Sequence, residues 1–200
     1  GKIGADGATY KALEFCGEAV KHMSMSERLT MSNMAVEAGA KAGLIASDET
    51  TKHYLAHMGR VKDYIPLTPD YDAYYEKTIS LDAKECVPMV AKPHTVDNVA
   101  PARDLGSIKV NQVFIGTCTN GRLEDLREVA KVILGKSKAD WVRMIVTLPS
   151  KDVYLKALHE GILEKLMKFG ATVAGVGCGA CVGVHGGILG DDEVCISTAN

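Results

Sequence analysis

No apolar run in this chain approaches the 18 residues of a membrane-spanning helix. The first residues lack the basic and apolar pattern of a secretory leader. Charge of one sign is also missing: 23 basic and 25 acidic residues leave a net charge of −2. Neither half is polarised when the chain is cut at Asp104, and no basic stripe runs along any segment. That argues against a nucleic-acid backbone as the main partner. There is no internal repeat and no low-complexity segment. There is no Met at position 1, and "GKIGADG" reads as mid-protein sequence. The chain closes on "VCISTAN", directly after a strand-like run. The expectation is an internal piece of a longer protein.

What is present is ordinary for a globular chain: 46% hydrophobic and 24% charged residues. Two hundred residues suit one large domain or two small ones. A chain of this size buries roughly 70% of its unfolded surface and needs no disulfide staples. Six cysteines at irregular spacing, without a secretory leader, point to reduced thiols, a cytoplasmic location and metal ligation.

Residues 7–22 read as a helix, with Leu13, Cys16 and Val20 at helical spacing and Asp6 as its cap. Residues 24–39 read as a second, with Ser24 and Glu27 as a capping box and Gly39 as the stop. "AGLIAS" (42–47) reads as a buried strand. A third helix follows Asp48 and ends at Gly59. Residues 74–100 read as extended, broken by Pro88 and Pro93. The second half alternates: strand 110–116, helix 122–134, strand 141–148, helix 151–169 broken near Gly161, strand 171–177 and strand 193–198. In helix 122–134, Leu123, Leu126, Ala130 and Ile133 share one face. This order implies an α/β fold with a mostly parallel sheet covered by helices. A boundary falls near 98–108, giving a mixed α/β domain over 1–104 and an α/β domain over 105–200.

In an open parallel sheet, ligands bind beyond the carboxyl ends of the strands. Cys118, in "GTCTNG", follows strand 110–116, and Cys178 and Cys181, in "GCGACVG", follow strand 171–177. Three thiols from distant parts of the chain therefore reach one edge of one sheet, on glycine-rich loops that let backbone amides approach sulfur. Cys16, Cys86 and Cys195 read as small buried hydrophobes. A redox C-x-x-C pair sits at the start of a helix, yet "VGVHGGILG" after Cys181 is poor helix-forming sequence. A zinc site wants four ligands. His185 could complete one, but Cys118 lies too far upstream for finger-like spacing. Gly175-x-Gly177-x-x-Ala180 lacks the following helix and the acidic ribose ligand of a dinucleotide loop. An iron–sulfur cluster fits best: four thiolates are the usual set, and three leave one iron open as a Lewis acid.

The stretches "GKIGADGATYKALEF" (1–15), "LTMSNMAVEAGAKAGLI" (29–45), "KPHTVDNV" (92–99), "FIGTCTNGRLEDLREVAKV" (114–132) and "GVGCGACVGVHGGILGDDEVCISTAN" (175–200) resemble the aconitase superfamily. The likeness is particularly to the prokaryotic 3-isopropylmalate dehydratase and homoaconitase large subunits. It spans the chain in order, and C-T-N-G-R together with G-C-G-x-C is specific. The resemblance implies a three-layer αβα architecture. It also implies a 4Fe-4S cluster held by Cys118, Cys178 and Cys181, and a hydro-lyase that isomerises a 2-hydroxy polycarboxylic acid by dehydration and rehydration.

The family pattern further gives Glu37 the hydroxyl or water on the open iron and Asn33 a hydrogen bond near the cluster. Their i, i+4 spacing would put both on one face of helix 24–39. Thr117, Thr119, Asn120 and Asn200 would shape the pocket, with His94 near the cleft. His53 and His57, though at i, i+4 spacing, lack a further ligand and read as surface, as do His22 and His159. The upstream Asp-Ser-His motif, the arginine after Asn200 and a later substrate-binding arginine are not in this sequence. The serine base belongs to a separate small subunit, expected as the partner in a heterodimer or heterotetramer. The expectation is a fragment that is inactive alone. Competing readings are a cluster-free binding protein, as in relatives that bind RNA, and a structural or redox metal module built on Cys178 and Cys181.

Overall fold

In the computed structural model, which describes residues 1–183 and 185–199, the chain divides into two units, Gly1–Gly106 and Ser107–Asn200.

The start of the first unit departs from the expected helix over 7–22. Tyr10 (φ 63°) and Gly17 (φ 103°) take left-handed conformations that interrupt any helix. Strand β1 (Ala12–Glu14) forms between them, and only Glu18–His22 is helical, as α1. The governing spacing is period two. Leu13 and Phe15 fall on one side and pack with Ile3 against Ala8, Ala35, Ala38 and Ala40. Helix α2 (Met25–Met34) begins with the expected capping box: the Ser24 hydroxyl accepts from the Glu27 N–H, and the Glu27 carboxylate accepts from the Ser24 N–H at 2.7 Å. The helix then tightens into a 3-10 turn, Ala35–Ala38, which Gly39 ends at φ 80°. Strand β2 (Ala42–Leu44) pairs in parallel with β1. A Cβ on Gly43 would lie 2.6 Å from the Ser32 carbonyl, so a glycine is what allows β2 this close to α2.

Helix α3 (Glu49–His57) is capped by Asp48, whose carboxylate accepts from the Thr50 and Thr51 N–H groups. The same carboxylate takes both ends of the Arg28 guanidinium, at 2.7 and 2.8 Å. Arg28 is 2% exposed, so this pair ties α2 to the start of α3. Residues 58–88 hold only two 3-10 turns, Val61–Asp63 and Ala83–Glu85. Beyond them β3 (Met89–Ala91) and β4 (Val99–Pro101) pair antiparallel. Pro88 and Pro93 flank β3 rather than interrupt it, as their missing N–H requires. A 3-10 turn, Ala102–Asp104, follows.

The second unit is one four-stranded parallel sheet in the order β7-β6-β5-β8. Its elements are β5 (Gln112–Gly116), α4 (Thr117–Asn120), α5 (Leu123–Val132), β6 (Arg143–Thr147), α6 (Lys151–His159), α7 (Ile162–Phe169), β7 (Thr172–Val173) and β8 (Cys195–Ser197). The break between α6 and α7 is Gly161 at φ 67°. The expected strand 171–177 forms only two paired residues. The apolar stripe of α5 is buried as its spacing implies, with Leu126, Ala130 and Ile133 in the core. Alternation in the strands divides the sheet's two faces. Ile115, Met144, Val146 and Leu148 pack against Leu126, Ala157, Leu163 and Leu166 from the three helices. Gln112, Phe114, Ile145 and Thr147 alternate with them and look the other way, where the return connection 174–194 crosses.

Side chains of β5 and β6 help to pin that return connection. Gln112 Nε2 donates to the Gly187 carbonyl at 2.6 Å. Arg143, on β6, holds Glu193 with two parallel bonds, NH1 to Oε1 at 2.7 Å among them. The mostly parallel α/β class expected from the sequence is what the structure shows. No helix among the described residues is long and apolar enough to cross a membrane.

Candidate functional site

The step from β5 to β6 and the step from β6 to β7 run the same way across the sheet. The connection to β8 jumps back to the far side of β5. The chain therefore leaves β5 toward the helix face and reaches β8 from the other. The crevice between their carboxyl ends is the sheet's switch point, where such folds hold ligands.

Cys118 stands at that point. Gly116 turns the chain at φ 125°, and Thr117 follows at φ 69°, a left-handed conformation unusual for threonine. Cys118 is thereby lifted into solvent while Thr117 and Thr119 on either side are buried. The turn is locked to β8: Thr198 Oγ1 accepts from the Gly116 N–H at 3.1 Å, and the Thr198 carbonyl accepts from Asn120 Nδ2 at 2.8 Å. Arg122 donates to the Thr119 carbonyl. Asp125 accepts from the Arg122 N–H at 3.0 Å, and burial raises its carboxyl above the ordinary value.

Cys178 precedes a single 3-10 turn, Gly179–Val182, which contains Cys181 and which Gly183 closes at φ 74°. Cys178 is exposed and Cys181 half-buried; neither is in a disulfide. The Cys181 N–H donates to the Cys178 carbonyl at 3.1 Å, so backbone, not a helix, sets their spacing. The turn is pressed on the end of β6. A Cβ on Gly179 would lie 2.4 Å from Thr147 Oγ1, and one on Gly116 would lie 1.8 Å from the Thr147 carbonyl. Both cysteine-bearing turns thus abut one residue, Thr147, on the strand between β5 and β7.

The three cysteines arrive on the same sheet edge, outside any disulfide, on tight glycine turns. Among the described residues, no three His, Cys, Asp or Glu side chains stand together closely enough to hold a metal ion. The kind of donor fits a cluster bound by three thiolates, and so does the wall behind it. The hydroxyls of Thr117 and Thr147 are buried there without a hydrogen-bond partner among the described residues. Two unsatisfied donors at one sheet edge leave acceptors wanting, and thiolate or sulfide sulfur is such an acceptor.

Other expected positions fall differently. Asn33 ends up in the last turn of α2 and Glu37 in the 3-10 turn after it, both half-buried in the first unit. The change of helix type between them breaks the single α-helical face that i, i+4 spacing implies, because a 3-10 turn aligns residues three apart. His94, His53 and His57 are exposed; His57 Nδ1 lies 3.0 Å from the His53 carbonyl. Cys16 and Cys86, expected in the interior, are exposed. Cys195 is half-buried in β8, where burial raises its thiol pKa and the Gln112 amide opposes that rise. It shares with Cys181, Phe114 and Leu189 the lining of a cavity of about 410 Å³. Asn200 lies outside the described residues. Thr147 and Thr198 are the positions that sequence reasoning passed over. Each stands at or just past the carboxyl end of a strand and carries no motif, so its place at that edge was the only available signal.

The model of the aconitase family (aconitate hydratase) matches residues 1–106 and 98–200. The chain is 56% identical over its full length to a 3-isopropylmalate dehydratase large subunit of Elusimicrobium minutum, covering 48% of that protein. It is 52% identical to a second such subunit from Archaeoglobus fulgidus, again over 48% of it. It is 48% identical to a probable methanogen homoaconitase large subunit of Methanosarcina mazei, over 50% of its length. The chain spans about half the length of the curated relatives it matches.

Proposed function

This chain belongs to the aconitase family, and on that premise we propose that it is part of the large subunit of an iron–sulfur hydro-lyase. The reaction is the isomerisation of a 2-hydroxy polycarboxylic acid, of the 3-isopropylmalate or homocitrate class, by removal and re-addition of water. The observation that carries this reading is the placement of Cys118, Cys178 and Cys181 at the carboxyl edge of one parallel sheet, on turns that both press against Thr147.

These three thiolates would hold a 4Fe-4S cluster. The bound cluster supplies a Lewis-acidic iron that polarises the substrate hydroxyl. The chain's own residues do the rest. The Glu37 carboxyl gives a proton to the departing hydroxyl, making water the leaving group, and takes one back on rehydration. The Asn33 amide holds an oxygen in place. Thr117, Thr119 and Asn120 fix the turn that presents Cys118. Removal of the proton on the neighbouring carbon falls to a base outside this chain, on a small-subunit partner; relatives bear the name of large subunits. The protein works in the cytoplasm, where its six cysteines stay reduced.

Two measurements test this reading. Iron and acid-labile sulfide per chain, after anaerobic reconstitution of the full-length subunit, should approach about four of each for a three-thiolate 4Fe-4S site. Turnover of 3-isopropylmalate or homocitrate should require the small subunit. The 200-residue chain alone is inactive. Zinc in place of iron, or turnover by this chain without a partner, would refute the assignment.

A further inference from the structure

Thr147 is the last residue of β6, the strand between the two that deliver the cysteines. Its side chain faces away from the helices, toward the turn of Cys178 and Cys181. It is wholly buried, and its Oγ1 finds no hydrogen-bond partner among the described residues. The position would suit a valine if shape alone mattered, because a β-branched residue fills a strand position well and leaves no polar atom unpaired. Two contacts make the hydroxyl's position specific. Gly179, between the cysteines, is held at φ 54° with its missing Cβ pointing 2.4 Å from Thr147 Oγ1. Gly116, two residues before Cys118, is in register with Thr147 and backs onto its carbonyl. The residue therefore touches one cysteine turn with its side chain and the other with its backbone.

We propose that Thr147 is a positioning residue for the iron–sulfur group, its hydroxyl donating a hydrogen bond to a sulfur at the Cys178–Cys181 turn. This rests on the reading of the three cysteines given above. A hydrogen bond to thiolate or sulfide sulfur withdraws negative charge from it. That raises the reduction potential of the group and slows loss of the labile iron. The hydroxyl has no partner among the described residues, and binding of the group would bring thiolate or sulfide sulfur to it.

The test uses the full-length subunit, reconstituted anaerobically with ferrous iron and sulfide, as wild type, Thr147→Val and Thr147→Ser. Valine keeps the shape and removes the donor; serine keeps the donor. The expected result is a lower reduction potential in Thr147→Val and iron release in air about 10-fold faster, the scale on which partners of metal ligands act. Thr147→Ser should restore both toward wild type. A merely structural role would leave the potential unmoved and would not distinguish serine from valine by its donor. Loaded wild type and loaded Thr147→Val with the same potential and the same iron-release rate overturn the inference and leave the assignment standing. A Thr147→Val protein that cannot be loaded while Thr147→Ser can supports it. Wild-type protein that takes up no iron overturns the assignment and the inference together.

Discussion

Gly116 is the position where a single added methyl should do the most damage. Its backbone stands at φ 125° and ψ −137°, a region almost closed to residues with a Cβ. Holding alanine there costs on the order of 1–3 kcal/mol. The carbon would also lie 1.8 Å from the Thr147 carbonyl oxygen and 2.9 Å from its carbon, both backbone atoms of the paired strand. No rotamer relieves that overlap, so β5 and β6 must part at their carboxyl ends, at a further cost of about 1–3 kcal/mol. Together Gly116→Ala should destabilise the second unit by roughly 2–6 kcal/mol. The control is Gly135→Ala: φ is 69°, but nothing lies within 4 Å of the new carbon. Its cost is the left-handed strain alone, about 1–2 kcal/mol. Native-state hydrogen exchange over 112–117 and 143–148 in the full-length subunit reads the difference locally. Because Thr147 also touches the Cys178–Cys181 turn, Gly116→Ala should lose bound iron at denaturant concentrations where the helices remain protected. Equal protection in the two variants would refute the reasoning.

Cys118→Ser should abolish retention of a full cluster, whereas Cys16→Ser and Cys86→Ser, at exposed positions, should leave iron content unchanged. Asp48→Ala should cost about 3–5 kcal/mol in denaturant unfolding, since it leaves the buried Arg28 guanidinium unpaired and uncaps α3. A loss under 1 kcal/mol would show that the ion pair contributes only what a surface pair does. The Arg143 guanidinium beside Glu193 lowers that carboxyl from 4.5 to about 2. A depressed folded-state value stabilises above the unfolded value and is lost on the way down. The stability difference between wild type and Glu193→Gln should therefore be full above pH 4.5 and shrink as the pH falls toward 2. An unchanged gap across that window would contradict the pairing.

Where local signals agreed, the sequence was a sufficient guide. The α5 stripe, the Ser24–Glu27 box, the Asp48 cap and the Gly161 break each rest on interactions within a few residues, and each forms as its spacing implies. The misreading over 7–22 has a physical cause. Leu13, Cys16 and Val20 satisfy a helical period by coincidence, while Leu13 and Phe15 are drawn to an alanine core assembled from residues 35–40, which helical periodicity alone does not reveal. Strand 171–177 shrinks because β7 is an edge with one neighbour, β6, and its chain is soon diverted to deliver Cys178.

The candidate site divides along the same line. Cysteines after strands are legible because a parallel sheet sends all its carboxyl ends one way, whatever the details of the loops. Side chains that act through register are not. Thr147 is significant only because β6 pairs Gly116 with it and the return connection lays Gly179 over it, two relations that link residues 31 and 32 positions apart. Asn33 and Glu37 show the converse. Their spacing looked like one helix face, but Ala35 and Ala38 must reach the core beside Ala8, and a 3-10 turn with those two residues aligned at i, i+3 delivers both where an α-helix would turn one aside. The packing of the alanine core thus fixes the backbone turn that carries Glu37. On the proposed role of Glu37, enlarging that core by Ala38→Val in the full-length subunit with its partner should alter turnover while leaving iron content at Cys118, Cys178 and Cys181 unchanged. Loss of iron in that variant would mean that the two effects share one cause, a general loosening of the fold, and the placement of Glu37 by its core would fall.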